Sequence, residues 1–129
     1  MKLLGIVLIG QPELKDRLNV QLNPDAREVI NRCEVAELKS LNGNLRDYLE
    51  LKFKRVGAVL ANVFEDDAFD AMRTRLLVRK QRRTPGQTVE TVQVSMLYPL
   101  MVNNLCIKAM NQAAELGLEK VSAQLIGRL

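Results

Sequence analysis

Residues 2–14 read K-L-L-G-I-V-L-I-G-Q-P-E-L, and the first nine of them are large and aliphatic apart from Lys2 and two glycines. The run ends at Gly10-Gln11-Pro12. A short continuous apolar run bounded by turn residues predicts a β-strand buried on both faces, as in the middle of a parallel sheet. No second run of this kind follows in the chain. Because one strand is not stable alone, we expect either that another chain supplies the sheet or that this polypeptide is the last part of a larger domain.

The composition bounds the class of protein. The chain has 129 residues, enough for one domain, and 47% of them are hydrophobic while only 4% are aromatic. This balance favours helices that pack through Leu, Ala, Val and Met. No apolar run reaches the length of a membrane span, and the segment from Lys2 to Gly10 is too short for a signal peptide and lacks a small-residue cleavage site.

The inventory of reactive side chains is small. Cys33 and Cys106 are isolated, there is no C-x-x-C, and the chain contains no histidine. A zinc site and a Cys–His nucleophile are therefore nearly excluded, and an enzyme acting by itself has little to use. We expect two buried free thiols in a reducing cytoplasm. The net charge of +4 permits contact with nucleic acid without establishing it.

The first third of the chain is predicted to form short helices and a second short strand. Residues 13–21 predict a short helix that begins near Pro12. Residues 23–25 predict a turn, and Pro24 is also compatible with a helix over residues 25–32 that Asn23 would cap. Residues 33–38 alternate apolar and polar side chains, which predicts a short, half-exposed strand.

The rest of the chain has helical periodicity. Apolar residues recur at helical spacing over four segments: 44–59, 64–76, Ser95 or Pro99 to Leu116, and 118–129. Gly117 is the expected C-cap of the third. The fold class we predict is mixed α/β, mostly α, with a bundle of about four helices over residues 44–129.

A basic run lies between the second and third of these helices. Its positive residues, with no acid among them, are Arg73, Arg75, Arg79, Lys80, Arg82 and Arg83. Such a run either follows a phosphate backbone in a salt-dependent way or is a solvated charged loop. It has no interleaved aromatic residues, so stacking on single strands is not expected. Residues 84–88 predict a loop. Residues 89–94 either pair with the preceding segment to form a hairpin or pack locally. In both cases a basic insertion spans about residues 79–94.

Three side chains near the N-terminus are candidates for contact with phosphate. Gln11 follows the predicted strand, where polar groups of α/β sheets face the ligand crevice; the alternative is a turn residue. Arg27 and Arg32 lie on or near one short helix, and an arginine from one subunit can stabilise charge on a neighbour's phosphates; the alternative is a solvated helix face. No G-x-x-x-x-G-K-[ST] or G-x-G-x-x-G motif occurs, so this chain alone cannot form a phosphate-binding loop.

Two blocks of sequence carry a family resemblance. V-L-I-G-Q-P-E-L, residues 7–14, resembles the sensor-1 strand of AAA+ ATPases of the type found among secretion-pathway and transposition ATP-binding proteins. L-M-V-N-N-L-C, residues 100–106, resembles the lid helix of that family; on the residues alone it predicts helix packing with one Asn bonded to the backbone. The family fold is a parallel α/β ATPase core with a helical lid. The resemblance implies that residues 1–43 are the C-terminal part of the core, that residues 44–129 are the lid, and that the phosphate-binding loop precedes Met1.

The same resemblance implies roles for individual residues. Gln11 becomes the sensor-1 polar group, Arg27 and Arg32 become candidate arginine fingers, and Pro99 marks the lid position near the nucleotide. Leu100 stands where the family usually has an arginine that contacts the nucleotide, and a leucine side chain cannot contact a phosphate.

The expected function follows from the resemblance. The chain is predicted to be the C-terminal portion of an AAA+ ATP-binding protein, a cytoplasmic DNA transposition helper that binds DNA and a transposase in an ATP-dependent way. ATP and Mg²⁺ are expected only in the full-length protein, and the chain alone should not hydrolyse ATP. An exposed strand edge predicts self-association. The alternatives are a fragment of a secretion-pathway ATPase, which would bind a secretion component, and a non-catalytic DNA-binding or protein-adaptor module.

Overall fold

The structure, a computed structural model, describes residues 4–82 and 89–129. In this part of the chain it contains six α-helices and one antiparallel sheet of two strands, which confirms the predicted mixed, mostly helical class. The chain divides into two compact units, residues 1–38 and 39–129, which we name the N-terminal unit and the helical unit. No helix among the described residues is long and apolar enough to cross a membrane.

The N-terminal unit has no core of its own. It contains α1 (Glu13–Arg17), a 3₁₀ turn (Pro24–Ala26) and α2 (Arg27–Ile30), and none of its described residues is buried. Lys15 and Glu37 form an ion pair of 2.8 Å, but both side chains are largely exposed, so the pair adds little stability. The backbone hydrogen bonds among its described residues join positions close to one another in the sequence, within its turns and short helices.

Both strands predicted in this unit are absent from the structure. Residues 4–10 and 33–38 form neither helix nor strand, and Leu3 lies outside the described residues. The side chains of Leu4, Val7 and Ile9 are 86%, 84% and 94% exposed. A strand needs a hydrogen-bonded neighbour, and none pairs with these segments within the described part of the chain. The prediction of a buried strand is therefore wrong for this chain by itself, and the parallel AAA+ sheet stays a prediction.

The helical unit contains four helices near the places that periodicity predicts. Its elements in chain order are α3 (Leu45–Arg55), a 3₁₀ turn (Leu60–Asn62), α4 (Ala68–Arg75), β1 (Leu77–Arg82), β2 (Glu90–Ser95), α5 (Pro99–Glu115) and α6 (Ala123–Arg128). That these helices form an AAA+ lid stays a prediction.

Three helices are shorter than predicted, for identifiable reasons. The helix expected from Phe64 begins only at Ala68, because Phe64 forms a β-bridge with Val121. The helix expected to reach Val59 ends at Arg55, because Gly57 takes a φ of 72°, a left-handed conformation that stops a helix. The helix expected from Leu118 begins only at Ala123. Before it, the Val121 N–H donates to the Val63 carbonyl (2.8 Å) and its carbonyl accepts from Glu65 (2.9 Å), so this segment is extended.

The boundaries of α5 agree with the sequence prediction. Pro99 occupies the first turn, where its missing N–H costs no intrahelical bond, and Gly117 follows the helix with a φ of 65°.

One hydrophobic core holds the helical unit together. Phe64 lies at its centre and is flanked by Phe53, at 5.9 Å between ring centroids in an edge-to-face arrangement, and by Phe69, at 6.3 Å. Buried side chains from all four helices join it, among them Leu45, Leu49, Met72, Val102, Ala109, Leu125 and Ile126. Burial of this apolar surface is the main stabilising contribution.

The hairpin of β1 and β2 is anchored to this core at its base. The Met96 N–H donates to the Leu76 carbonyl (2.7 Å), and the Leu41 N–H donates to the Leu97 carbonyl (2.7 Å). Leu76 and Leu97 are both buried. The strands therefore extend from a fixed base between the end of α4 and the start of α5.

Candidate nucleic-acid interface

The basic run lies on the end of α4 and along β1. Leu77-Val78-Arg79-Lys80-Gln81-Arg82 pairs antiparallel with Glu90-Thr91-Val92-Gln93-Val94-Ser95, from Leu77 opposite Ser95 to Arg82 opposite Glu90. The β-branched residues of the second segment favour this pairing. Of the two alternatives left open by the sequence, the hairpin is therefore the one observed. Arg83 and the predicted loop over 84–88 lie outside the described residues, and so does the side chain of Arg82.

Arg73 is engaged in contacts within the helical unit. Its guanidinium forms an ion pair with Asp70 at 2.6 Å, and its Nε donates to the Asn42 carbonyl at 3.2 Å. These contacts tie α4 to the loop before α3. A nucleic-acid phosphate would have to displace Asp70, so we leave Arg73 out of the interface proposed below.

Arg75, Arg79 and Lys80 differ from Arg73 in that no acidic side chain of the described residues neutralises their charges. All three are exposed. Within residues 4–82 and 89–129, none of them forms an ion pair. We name these three residues the basic cluster. Their charge is available to an external anion at no cost in internal contacts.

Arg46 resembles Arg73 in that its charge is neutralised within the helical unit. Arg46 pairs with Glu50 at 3.2 Å and with Asp66 at 3.0 Å, and its guanidinium lies 5.2 Å from the centre of the Phe69 ring. These contacts with Phe69 and two acids give Arg46 a role in holding the fold together, so we do not count it in the basic cluster.

Gln11, Arg27 and Arg32 are all exposed and lie in the N-terminal unit. The Gln11 carbonyl accepts a hydrogen bond from the Leu14 N–H at 2.9 Å, so its backbone helps to begin α1. Arg27 is the first residue of α2, and Arg32 follows that helix. Pro99, the fourth residue of the predicted nucleotide site, begins α5 in the helical unit.

A polar cluster joins α3 to α5, and sequence reasoning missed it. Asn103 Oδ1 accepts hydrogen bonds from Tyr48 Oη at 3.0 Å and from Lys52 Nζ at 3.1 Å, and the Lys52 ammonium lies 5.5 Å from the centre of the Tyr48 ring. The sequence predicts that one of Asn103 and Asn104 bonds to the backbone; the bonds observed for Asn103 are to side chains of α3 instead. The only local signal was the i, i+4 spacing of Tyr48 and Lys52, which places them on one face of α3.

Burial controls the chemistry of Cys106. The residue is 4% exposed, and desolvation raises the pKa of its thiol from 9.0 to about 11, against the smaller opposing effect of the Lys52 charge. Thiolate is the reactive form, so the thiol stays protonated and inert near neutral pH. Cys33, by contrast, is only half-buried, which overturns the expectation that both thiols are buried.

We expect iodoacetamide to alkylate Cys33 but not Cys106 in the folded chain at about pH 8, because this pH is far below the raised pKa of Cys106. Peptide mass spectrometry after a timed reaction measures the modified fraction at each position. Denatured chain is the control and should be modified at both residues. Equal labelling in the folded chain would show that Cys106 is not enclosed by the core.

The described residues contain no group of three or more His, Cys, Asp or Glu side chains placed to hold a metal ion. Comparisons of the chain with protein-family models, curated proteins and solved structures found no match.

Proposed function

We propose that this chain binds duplex DNA through the basic cluster and the β1–β2 hairpin, as the C-terminal portion of an AAA+ ATP-binding protein of the transposition-helper type. The observation that carries the DNA-binding part is the set of three exposed positive charges on α4 and β1, none of them in an ion pair within the described residues. Charges placed this way repel one another and lower the stability of the fold, so their arrangement is better suited to an external polyanion.

The shape of the hairpin supports duplex DNA as the ligand. A two-stranded ribbon fits the major groove of B-form DNA, and the hairpin carries more basic than acidic residues. It contains no aromatic residue on which the bases of a single strand could stack.

The AAA+ part of the proposal rests on the two motifs and on the exposed apolar segment over residues 4–9. In a complete ATPase this segment would become the sensor-1 strand between its neighbours, Gln11 would lie next to the γ-phosphate, and Arg27 or Arg32 would reach across a subunit boundary. The residues of this chain do not make a nucleotide site by themselves. No phosphate-binding loop is present in the sequence, and Leu100, which is 69% exposed, has no group for a phosphate. ATP and Mg²⁺ would be bound by the complete protein, with a transposase as the second partner.

The proposal is tested by titrating fluorescent duplex DNA with the chain at salt concentrations from about 50 to about 200 mM. Each phosphate neutralised adds about 0.9 to the slope of log affinity against log salt, so the three residues of the basic cluster should contribute a slope of roughly −2.7. Fluorescence anisotropy gives the affinity at each concentration. A flat dependence on salt, or no binding at the lowest concentration, would contradict DNA binding and favour the protein-adaptor alternative.

The second candidate function is an interaction through the N-terminal unit. The large aliphatic side chains over residues 4–9 are exposed, and a segment of this kind adds readily to the edge of a sheet. This favours self-association of the isolated chain, and it applies equally to a transposition helper and to a secretion-pathway ATPase. Light scattering of the chain with and without residues 1–10 distinguishes this interaction from DNA binding.

A further inference from the structure

We propose that one face of the β1–β2 hairpin contacts base edges in the major groove, so that DNA binding by this chain is sequence-selective. This inference rests on the proposed DNA binding and adds to it the residues that select the site. We name the surface formed by Leu77, Arg79, Gln81, Thr91, Gln93 and Ser95 the polar face. Its recognition residues are Arg79, Gln81, Thr91 and Gln93.

The register of the two strands places these residues together. Arg79 lies directly opposite Gln93, and Gln81 lies directly opposite Thr91. Side chains at directly opposed positions of an antiparallel pair share one face, and alternate residues along each strand do so as well. The four recognition residues therefore form a two-by-two patch on one side of the ribbon.

The other face of the ribbon has a different chemistry. It carries Val78, Lys80, Glu90, Val92 and Val94. Glu90 is the one acid between Leu77 and Ser95, and valine side chains have no hydrogen-bonding group. This face is thus unsuited to base edges, whereas the flexible ammonium of Lys80 suits phosphates along the wall of the groove.

The side chains of the four recognition residues form no hydrogen bond or ion pair with the described part of the fold, whereas the Ser95 hydroxyl accepts a hydrogen bond from the Leu97 N–H. Within the described residues, no hydrogen bond ties the side chain of Gln81, Thr91 or Gln93 to the rest of the fold, and Arg79 forms no ion pair. All four residues are exposed.

Each of these groups has a matching partner in the major groove. Arginine binds O6 and N7 of guanine with two parallel hydrogen bonds, glutamine binds N6 and N7 of adenine in the same way, and the threonine methyl contacts the methyl group of thymine. Lysine offers no such planar fork.

The dimensions agree with insertion into the groove. Two strands lie about 4.8 Å apart, and the groove is about 12 Å wide. Six residues of strand extend roughly 17 Å, which corresponds to about five base pairs at 3.4 Å each. The A-form groove of duplex RNA is too narrow for such a ribbon.

The test is selection of binding sites from a pool of random duplex DNA by the wild-type chain, followed by affinity measurements on the selected duplex and on an unrelated duplex. We expect an enriched short motif that contains guanine. Arg79→Lys keeps the charge but loses the planar fork, so it should lower the ratio of the affinity for the selected duplex to the affinity for the unrelated duplex about tenfold or more. Gln93→Ala, on the opposite strand, should lower the same preference independently.

Lys80→Ala is the matched control, because it changes the next residue of β1 on the other face. It should weaken binding to both duplexes equally and leave the selected motif unchanged. Circular dichroism of each variant checks that the helical unit is folded.

The outcomes separate this inference from the function on which it rests. Salt-dependent binding of all duplexes without an enriched motif, or an unchanged preference in Arg79→Lys, overturns base contact and leaves DNA binding standing. Tighter binding to duplex RNA or to single-stranded DNA also overturns it. No binding to any duplex overturns both.

Discussion

Replacing Arg75, Arg79 and Lys80 with alanine is expected to weaken binding to duplex DNA roughly 100-fold at about 0.1 M salt. These residues are exposed, and their charges are not paired within the described residues, so their full charge is available to phosphates. On a duplex that lacks the selected motif, where all three residues would contact phosphates, their loss should also make the slope of log affinity against log salt less steep by roughly 2.7, since each neutralised phosphate contributes about 0.9. Anisotropy titrations of wild type and variant on one duplex measure both quantities.

The matched control removes the same number of charges from another surface. Lys54, Arg55 and Lys108 are exposed on α3 and α5, away from the hairpin in sequence, and their replacement with alanine lowers the net charge equally. We expect little change in slope for this variant. If both variants lost affinity to the same extent, binding would reflect net charge alone, and the hairpin would not be the interface.

Replacing Leu49 with alanine is expected to lower the free energy of unfolding of the helical unit by about 3 kcal/mol. The side chain is 2% exposed and lies in the core around Phe64, so its removal both loses buried apolar surface and leaves a cavity. The marginal stability of small domains makes this a large fraction of the total. Urea unfolding followed by circular dichroism at 222 nm measures the change as a shift in the midpoint.

Leu51→Ala is the control on the same helix. Leu51 is 52% exposed, and alanine is at least as favourable as leucine within a helix, so we expect a change of less than about 0.5 kcal/mol. A large loss for Leu51→Ala would mean that another surface covers this side of α3. A small loss for Leu49→Ala would contradict the position of the core.

A helix boundary can be predicted from the sequence when the interactions that fix it lie within a few residues of that boundary. For α5 the sequence predicts the end closely, because Gly117 acts within its own turn, and leaves the start open between Ser95 and Pro99. α6 was predicted too long, because Val121 is held in an extended conformation by residues 63–65, far away in the sequence. The spacing of apolar residues in one segment gives no information on hydrogen bonds to a distant segment of the chain.

The candidate site divides in the same way. The six basic residues were visible in the sequence, and so was the possibility of a hairpin around them. The sequence did not show that Arg73 is bound to the Asn42 carbonyl, that Arg79 faces Gln93 across the ribbon, or that Asn103 binds Tyr48. Each of these depends on two segments meeting in space.

The amino-acid sequence alone determined which four segments of the helical unit are helical, the apolar stripes that form the core and the presence of a basic segment, since each of these depends on residues within a few turns of one another. Only the tertiary structure decided which charges are neutralised, which side chains share the polar face of the hairpin, and that residues 4–10 form no strand. The physical reason is the same in all three cases. Ion pairs, strand register and sheet formation each require a partner that is distant along the chain, and a strand without such a partner leaves its backbone groups to the solvent.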